Sequence, residues 1–205
     1  MSDLESFRLS LGSRFIKRSF DILLSSFLAI LLLPIISLAW LIASIETNSN
    51  GIFIQERIGK EGKPFGLLKI KTMFDSSKAH NSISILNSSR ISVSGKFFRK
   101  YKIDELPQVF NIIMGSMSFV GPRPDVPGYA DRLEDDDRVM LLVRPGITGP
   151  ASIKYKNEED LLEKSENAIH LNDNIIWPDK VRINIEYVKN YSFYNDLIYI
   201  IKTIF

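Results

Sequence analysis

The chain has 205 residues and a formal net charge of +2, from 26 basic and 24 acidic side chains. That length suits one domain with a membrane element rather than two full domains, and the near-neutral balance argues against wholesale nucleic-acid binding. Cysteine is absent, which removes disulfides, thiolate nucleophiles and cysteine metal sites, and two histidines supply zinc chemistry and a serine-histidine triad poorly.

Residues 1–19 form a polar arm that ends basic, through Arg8, Arg14, Lys17 and Arg18. The run that follows, Phe20 to Ile45 (20–45), carries no charge after Asp21. As one helix it is about 36 to 39 Å long, enough to cross a hydrocarbon core of about 30 Å. It is too long for a signal peptide and no small-residue cleavage site clearly ends it. Three readings remain: a spanning helix, a buried soluble helix, or a helix that enters the membrane and turns back. Pro34, near the middle, predicts a kink and arms of about 21 and 17 Å, each too short to span. Arg14, Lys17 and Arg18 favour the cytoplasmic face. If the polar domain after Gly51 lies on that face too, both ends of 20–45 are on one side and the helix is re-entrant. A single spanning helix with a tolerated proline is the competing reading.

Asn48 to Gly51 is a turn-rich exit, and Ile52 to Met73 reads as two short strands around the turn Gly59 to Pro64. Its candidate binding residues are Arg57, Lys69, Lys71 and Thr72, although a basic hairpin is commonly just a solvated surface. Asp75 to Ser94 is rich in serine and asparagine and reads as a loop. His80 within it is expected at the surface rather than as a general base.

Leu106, Val109, Phe110, Ile113 and Met114 recur at helical spacing, so Asp104 to Met114 reads as a helix with Gly115 as its C-cap. Asp104 sits where an N-cap belongs, and Pro107 is tolerated in a first turn. Two readings of Asp104 and Glu105 follow: a cap with a favourable first-turn charge, or a catalytic pair. Arg99, Lys100 and Lys102 precede the pair, and GPRP follows the helix with Arg123 between two prolines. An ionised carboxylate at a helix N-terminus ringed by arginines is expected to stay charged, which suits attack on phosphorus.

Asp125 to Arg138 is acidic, but Asp135, Asp136 and Asp137 lack the spacing and glycine of a calcium loop, so a solvated helix start is expected. Val139 to Val143 returns to the core, and RPGITGPA from Arg144 to Ala151 reads as a rigid proline-glycine turn. A short helix around Glu158 to Ser165 and a helix from Trp177 to about Asn190 come next. Asn195 to Phe205 is apolar and aromatic, and suits either the core or a membrane interface.

KRSFD at Lys17 to Asp21, KIDELPQVFNIIMGSMSFVGPRP and RPGITGPA together resemble the bacterial sugar transferase family, the small monotopic phosphoglycosyl transferases. The motifs keep the family's order from about Phe15 to the C-terminus. The resemblance implies an α-rich α+β fold: a single membrane-associated catalytic domain with a re-entrant N-terminal helix kinked at Pro34. Residues 46–205 would be the catalytic domain, with interfacial C-terminal helices, facing the cytoplasm from the bacterial inner membrane. A helix over Lys96 to Lys102 is implied as well.

The implied reaction moves a sugar-1-phosphate from a UDP-sugar to polyprenyl phosphate and releases UMP, as the first membrane step of a surface glycan pathway. Asp104 would attack the β-phosphorus, and Glu105 would ligate Mg²⁺ or support the acceptor's attack. Asp104 and Glu105 are the candidate metal ligands. Arg57, Lys71, Thr72, Arg99, Arg123 and Arg144 are the implied substrate contacts, and Lys17, Arg18 and Pro34 belong to the membrane element. Two positions depart from the family's habit: Leu33 stands where relatives often place a serine before the proline, and Ile58 where they commonly carry proline or valine. The resemblance implies a lipid bilayer and no nucleic acid as partners, and leaves the sugar and the oligomeric state open, a homo-oligomer included. The rival from another class is a membrane-anchored, non-catalytic scaffold whose Asp-Glu pair serves only folding.

Overall fold

In the computed structural model, which describes residues 6–75 and 90–205, the uncharged run lies inside one helix, α1 (Leu11–Thr47). At 37 residues it is about 56 Å long. The helix continues through Pro34 without interruption, so the expected division into two short arms is not shown as a break. Proline removes one donor to the carbonyl of Ile30, and the rest of the ladder carries the helix on. α1 is long and apolar enough to cross a membrane by length and composition.

Burial along α1 follows one stripe. Lys17, Asp21, Ser25, Ile36, Ala39, Ala43 and Thr47 are buried, and Leu28, Ala29 and Leu32 are partly so, at steps of three or four residues. The remaining faces are equally apolar yet open: Leu23 is 72% exposed, Ile30 78% and Phe27 65%. A helix hydrophobic all round but covered on one stripe is not built for water on its other sides.

Beyond α1 come β1 (Ile52–Ile58) and β2 (Pro64–Ile70), which pair as the hairpin expected from the sequence. Helices α2 (Val93–Lys100) and α3 (Gln108–Met114) follow, then β3 (Ser118–Val120) and β4 (Gly146–Thr148). The chain ends with α4 (Pro150–Lys154), α5 (Glu158–Glu163), α6 (Ala168–Leu171), α7 (Trp177–Lys189) and α8 (Phe193–Ile204). His80 and most of the Asp75 to Ser94 loop lie outside the described residues.

Contacts gather into two units. One takes the described residues up to Asp21, Arg57–Phe65 and Gly115–Phe205; the other takes Ile22–Glu56 and the described residues of Gly66–Met114. In the second unit Ile36, Ala39 and Ala43 of α1 pack with Ile70, Phe98 and Val109. Asn48, at φ 48°, turns the chain out of α1, and Gly51 then passes so close that a Cβ there would lie 2.2 Å from the Trp40 carbonyl oxygen. Ser92 caps α2, its hydroxyl accepting from the Gly95 N–H at 3.0 Å.

In the first unit RPGITG, read from sequence as a turn, is zipped to the segment that leads into GPRP by a parallel ladder. Ser118 pairs with Gly146 and Val120 with Thr148. The Gly121 N–H donates to the Thr148 carbonyl at 2.9 Å, and the Gly146 N–H to that of Pro122 at 2.9 Å. The backbones touch: a Cβ on Gly146 would lie 2.2 Å from the Gly121 nitrogen. Gly146→Ala is therefore expected to lower stability by about 1 to 3 kcal/mol or more, read as a fall in melting temperature. An unchanged melt would mean that the two loops can separate at little cost.

The acidic stretch is a 3₁₀ segment, Asp135–Leu142, whose three aspartates are exposed while Val139, Met140 and Leu141 are buried. For the last segment the structure shows a division by face. Tyr199 and Ile200 of α8 pack beside a core of Val139, Val143, Tyr187 and Val188, whereas Tyr194, Ile201, Ile204 and Phe205 are exposed.

Candidate active site

α2 stops at Lys100, and Lys102 then adopts a left-handed conformation, φ 56°, that swings the chain into a short 3₁₀ turn, Ile103–Glu105. A lysine in that region is uncommon and marks a turn the surroundings hold in place. α3 begins only at Gln108, so Asp104 is not its N-cap: the helix expected from Asp104 is split ahead of Pro107. Gly115, at φ 90°, ends α3 as expected.

Asn111 fastens α3 from behind. Its amide oxygen accepts from the Leu68 N–H at 2.9 Å and its amide N–H donates to the Gly66 carbonyl at 2.8 Å. A side chain thus pairs with the edge of β2 as a backbone would. The only sequence signal for this was a polar residue among Val109, Phe110, Ile112 and Ile113, on a helix otherwise apolar there.

The carboxyl group of Asp104 is buried, and its Oδ1 finds no hydrogen-bond partner in the protein. Burial raises its pKa above the usual carboxylate range and the neighbouring Glu105 adds to this, while Lys69, Lys102 and Arg99 pull it back. This corrects the expectation that helix and arginines favour the charged form, because desolvation outweighs them. Glu105 lies 3.9 Å from the Lys69 ammonium, both side chains largely covered. Asp104, Glu105, Arg99 and Lys69 are therefore brought together in the second unit.

Two expected contacts are engaged elsewhere in that unit. Lys71 donates to Asp75 at 2.7 Å and to Ser49 at 2.7 Å. Thr72 uses its carbonyl to accept from the Ser92 N–H at 3.0 Å, and so holds the start of α2. Among the described residues no group of three or more histidine, aspartate or glutamate side chains forms a ready metal cage.

Arg57, Arg123 and Arg144 belong to the first unit. Arg57 reaches the Pro124 carbonyl at 3.4 Å and so underpins the GPRP loop, on which Arg123 is exposed. Arg144 donates Nε to the Gly115 carbonyl at 2.7 Å, and a Cβ on Gly115 would lie 3.3 Å from an Arg18 guanidinium nitrogen. Arg18, expected at the membrane surface, and Arg144, expected beside the nucleotide, meet at this glycine. Lys17, also expected among the membrane-flanking charges, is buried and paired with Asp196 at 2.6 Å.

Asp125, which the sequence reading passed over, completes the GPRP loop. Burial pushes its carboxyl up to about 6 against the pull of Lys180 and Arg57, with Glu158 adding to the rise and Arg123 opposing it. A carboxyl that holds its proton more tightly folded than unfolded costs stability as it ionises. The loss is absent below about pH 4, builds between about pH 4 and 6, and is complete above that. Asp125→Asn is expected to melt above wild type at pH 8 and alongside it near pH 4. A melting difference that does not change with pH would remove Asp125 as its source.

The profile of the family described as bacterial sugar transferase matches residues 12–205. The UDP-glucose:undecaprenyl-phosphate glucose-1-phosphate transferase of Klebsiella pneumoniae is 34% identical over 92% of this chain and 39% of its own length. The undecaprenyl-phosphate galactose phosphotransferase of Salmonella typhimurium is 31% identical over 94% of this chain and 40% of its own. The uncharacterized sugar transferase EpsL of Bacillus subtilis is 33% identical over 89% of this chain and 82% of its own. The chain thus spans about two fifths of the length of the larger relatives and most of EpsL.

Proposed function

The chain belongs to the bacterial sugar transferase family, and on that premise we propose that it transfers a sugar-1-phosphate from a UDP-sugar to a polyprenyl phosphate. The observation that carries the reading is Asp104, a buried carboxylate whose Oδ1 has no protein partner, set beside Glu105 among Lys69, Lys102 and Arg99. A cap would spend that oxygen on a backbone N–H; a nucleophile keeps it for phosphorus.

In the first step an Asp104 oxygen attacks the β-phosphorus of the UDP-sugar. The bond from that phosphorus to the oxygen bridging to the α-phosphate breaks, and UMP leaves with the electron pair. In the second, a phosphate oxygen of the polyprenyl acceptor attacks the same phosphorus, the aspartyl bond breaks, and the carboxylate is restored. Neither step needs a base to remove a proton, in keeping with the scarcity of histidine. Burial, which raises the pKa of Asp104, leaves the attacking oxygen poorly solvated and reactive, while Lys69, Lys102 and Arg99 favour its ionised form.

The adjacent Asp104 and Glu105 fit Mg²⁺, which is held by one or two carboxylates together with substrate phosphates rather than by an all-protein cage. Bound there, it would offset the charge of the diphosphate that otherwise repels a carboxylate. Glu105 would either hold the ion or support the acceptor's attack. Arg123, Arg57 and Arg144 carry forks suited to phosphate oxygens, Lys71 and Thr72 complete the proposed substrate set, and α1 anchors the chain as a re-entrant element bent at Pro34 on the cytoplasmic face of the inner membrane. A panel of UDP-sugars assayed for UMP release tests the reading. One sugar is expected to give UMP that depends on Mg²⁺; release from none leaves a membrane-anchored scaffold.

A further inference from the structure

The last two turns of α1 and helix α2 border an apolar groove within the second unit. Ile42, Ile45, Val93, Phe97 and Phe98 line it, and its volume is about 550 Å³, within the range of about 300 to 1,000 Å³ of small-molecule sites. Its apolar rim is open: Ile45 is 72% exposed and Val93 82%. Among the described residues the one carboxylate that lines the groove, Glu46, is spent inside the protein. It accepts from the Val93 N–H at 2.7 Å, the Ser94 N–H at 3.1 Å and the Ser94 hydroxyl. What the groove offers an occupant is hydrocarbon.

Past the groove the chemistry changes in order along one stretch of chain. The Phe97 ring meets that of Tyr101 at 4.7 Å, and the Lys100 ammonium sits 5.5 Å from the Tyr101 ring. Arg99 and Lys100 stand between Phe97 and Tyr101 in the chain, Lys102 follows, and then comes Asp104, whose carboxyl feels the charges of Arg99 and Lys102. Read outward from the groove, the chain runs from apolar wall to two cations, an aromatic ring packed back on Phe97, a third cation and then the carboxylate. Its complement is an amphiphile with a long hydrocarbon tail and a phosphate head. The groove is also continuous with the open apolar faces of α1 at Leu38, Leu41 and Ile45, so a tail can enter it without crossing water.

We propose that this groove holds the first isoprene units of the polyprenyl phosphate acceptor and so leads its phosphate toward Asp104. The proposal rests on the transferase reading above and adds the place where the lipid tail is recognised. A membrane phospholipid shares the tail-and-phosphate pattern but is not consumed at Asp104, and that difference is what the experiment uses.

Two measurements on the full chain in phosphatidylethanolamine and phosphatidylglycerol vesicles test it. In the first, wild type, Val93→Gln and Phe97→Gln are compared for kcat/KM with a long-chain polyprenyl phosphate and with a two-isoprene phosphate, circular dichroism melts reporting on folding. The variants are expected to lose about tenfold or more of the wild-type preference for the long chain, the scale set by removing apolar contact with a hydrocarbon tail. An unchanged preference in folded variants overturns the groove. In the second, a diazirine-tailed polyprenyl phosphate is photolysed on wild type, and label is expected in residues 93–98, displaced by unlabelled polyprenyl phosphate. Label from a diazirine phospholipid that polyprenyl phosphate does not displace makes the groove a site for bulk lipid, and also overturns it. Wild type that releases UMP from a UDP-sugar while both tests fail loses only the groove; wild type that releases none loses the transferase reading itself.

Discussion

Asp104→Asn is expected to reduce turnover by at least about 10³-fold, the scale of losing a nucleophile, while the protein melts at or slightly above the wild-type temperature. Asparagine has nearly the same shape and no charge. Because burial and Glu105 together disfavour the ionised carboxyl, its loss removes an unfavourable interaction rather than a favourable one. A structural role predicts the reverse pattern: little change in rate and a shift in stability. Glu105→Gln is expected to be slower than wild type yet still able to form the phosphosugar intermediate, since Glu105 assists without forming the bond. Measuring kcat and melting temperature on the same preparations separates the readings.

The largest expected effect on stability lies at the start of α1. Lys17 donates to Asp196 at 2.6 Å and to the Val120 carbonyl at 2.8 Å, and Asp196 also accepts from Tyr187 at 2.7 Å and Tyr191 at 3.3 Å. Burial, together with Asp196, raises the pKa of the Tyr187 hydroxyl far above its usual range, so it remains a donor. This network joins α1, β3, α7 and α8, and Val120 leads directly into GPRP. Lys17→Met leaves a carboxylate buried without its cation and is expected to cost about 3 to 5 kcal/mol. Adding Asp196→Asn to Lys17→Met should restore part of that loss, because the orphaned charge is gone. Chemical denaturation of the single and double variants reads both quantities. If Lys17→Met costs no more than a surface substitution, the pair is solvated rather than buried.

How far these features could be read from sequence depended on the range of the interaction that makes each. α1 was legible because 24 uncharged residues separate Asp21 from Glu46, and a hydrophobic run needs no partner to be recognised. The hairpin was legible because Gly59 and Pro64 bracket its turn. The loop motifs were not: β3 and β4 are three residues each and exist only because Gly121 and Gly146 let two backbones touch, a contact between positions 25 residues apart. Asp104 was found as a candidate but given the wrong local role. The left-handed Lys102 and the delayed start of α3 turn it away from capping, and neither follows from residue spacing.

Charges were the least legible. Lys17 looked like a membrane-flanking cation because its partner Asp196 lies near the other end of the chain. The raised pKa of Asp125 depends on burial and on Lys180 and Glu158, which sequence does not place beside it. The resemblance is what gives Asp104 and Glu105 their proposed roles, since an Asp-Glu pair ahead of a proline has an ordinary structural reading as well.

The direct test of the account is to incubate wild type with its UDP-sugar and Mg²⁺ in the absence of any lipid acceptor, then digest it and weigh the peptides. The account predicts about one UMP released per enzyme and one sugar phosphate added to the peptide that carries Asp104, lost again when polyprenyl phosphate is supplied. UMP that appears only when the acceptor is present, with an unmodified Asp104 peptide throughout, would contradict it and make the transfer direct between two bound substrates.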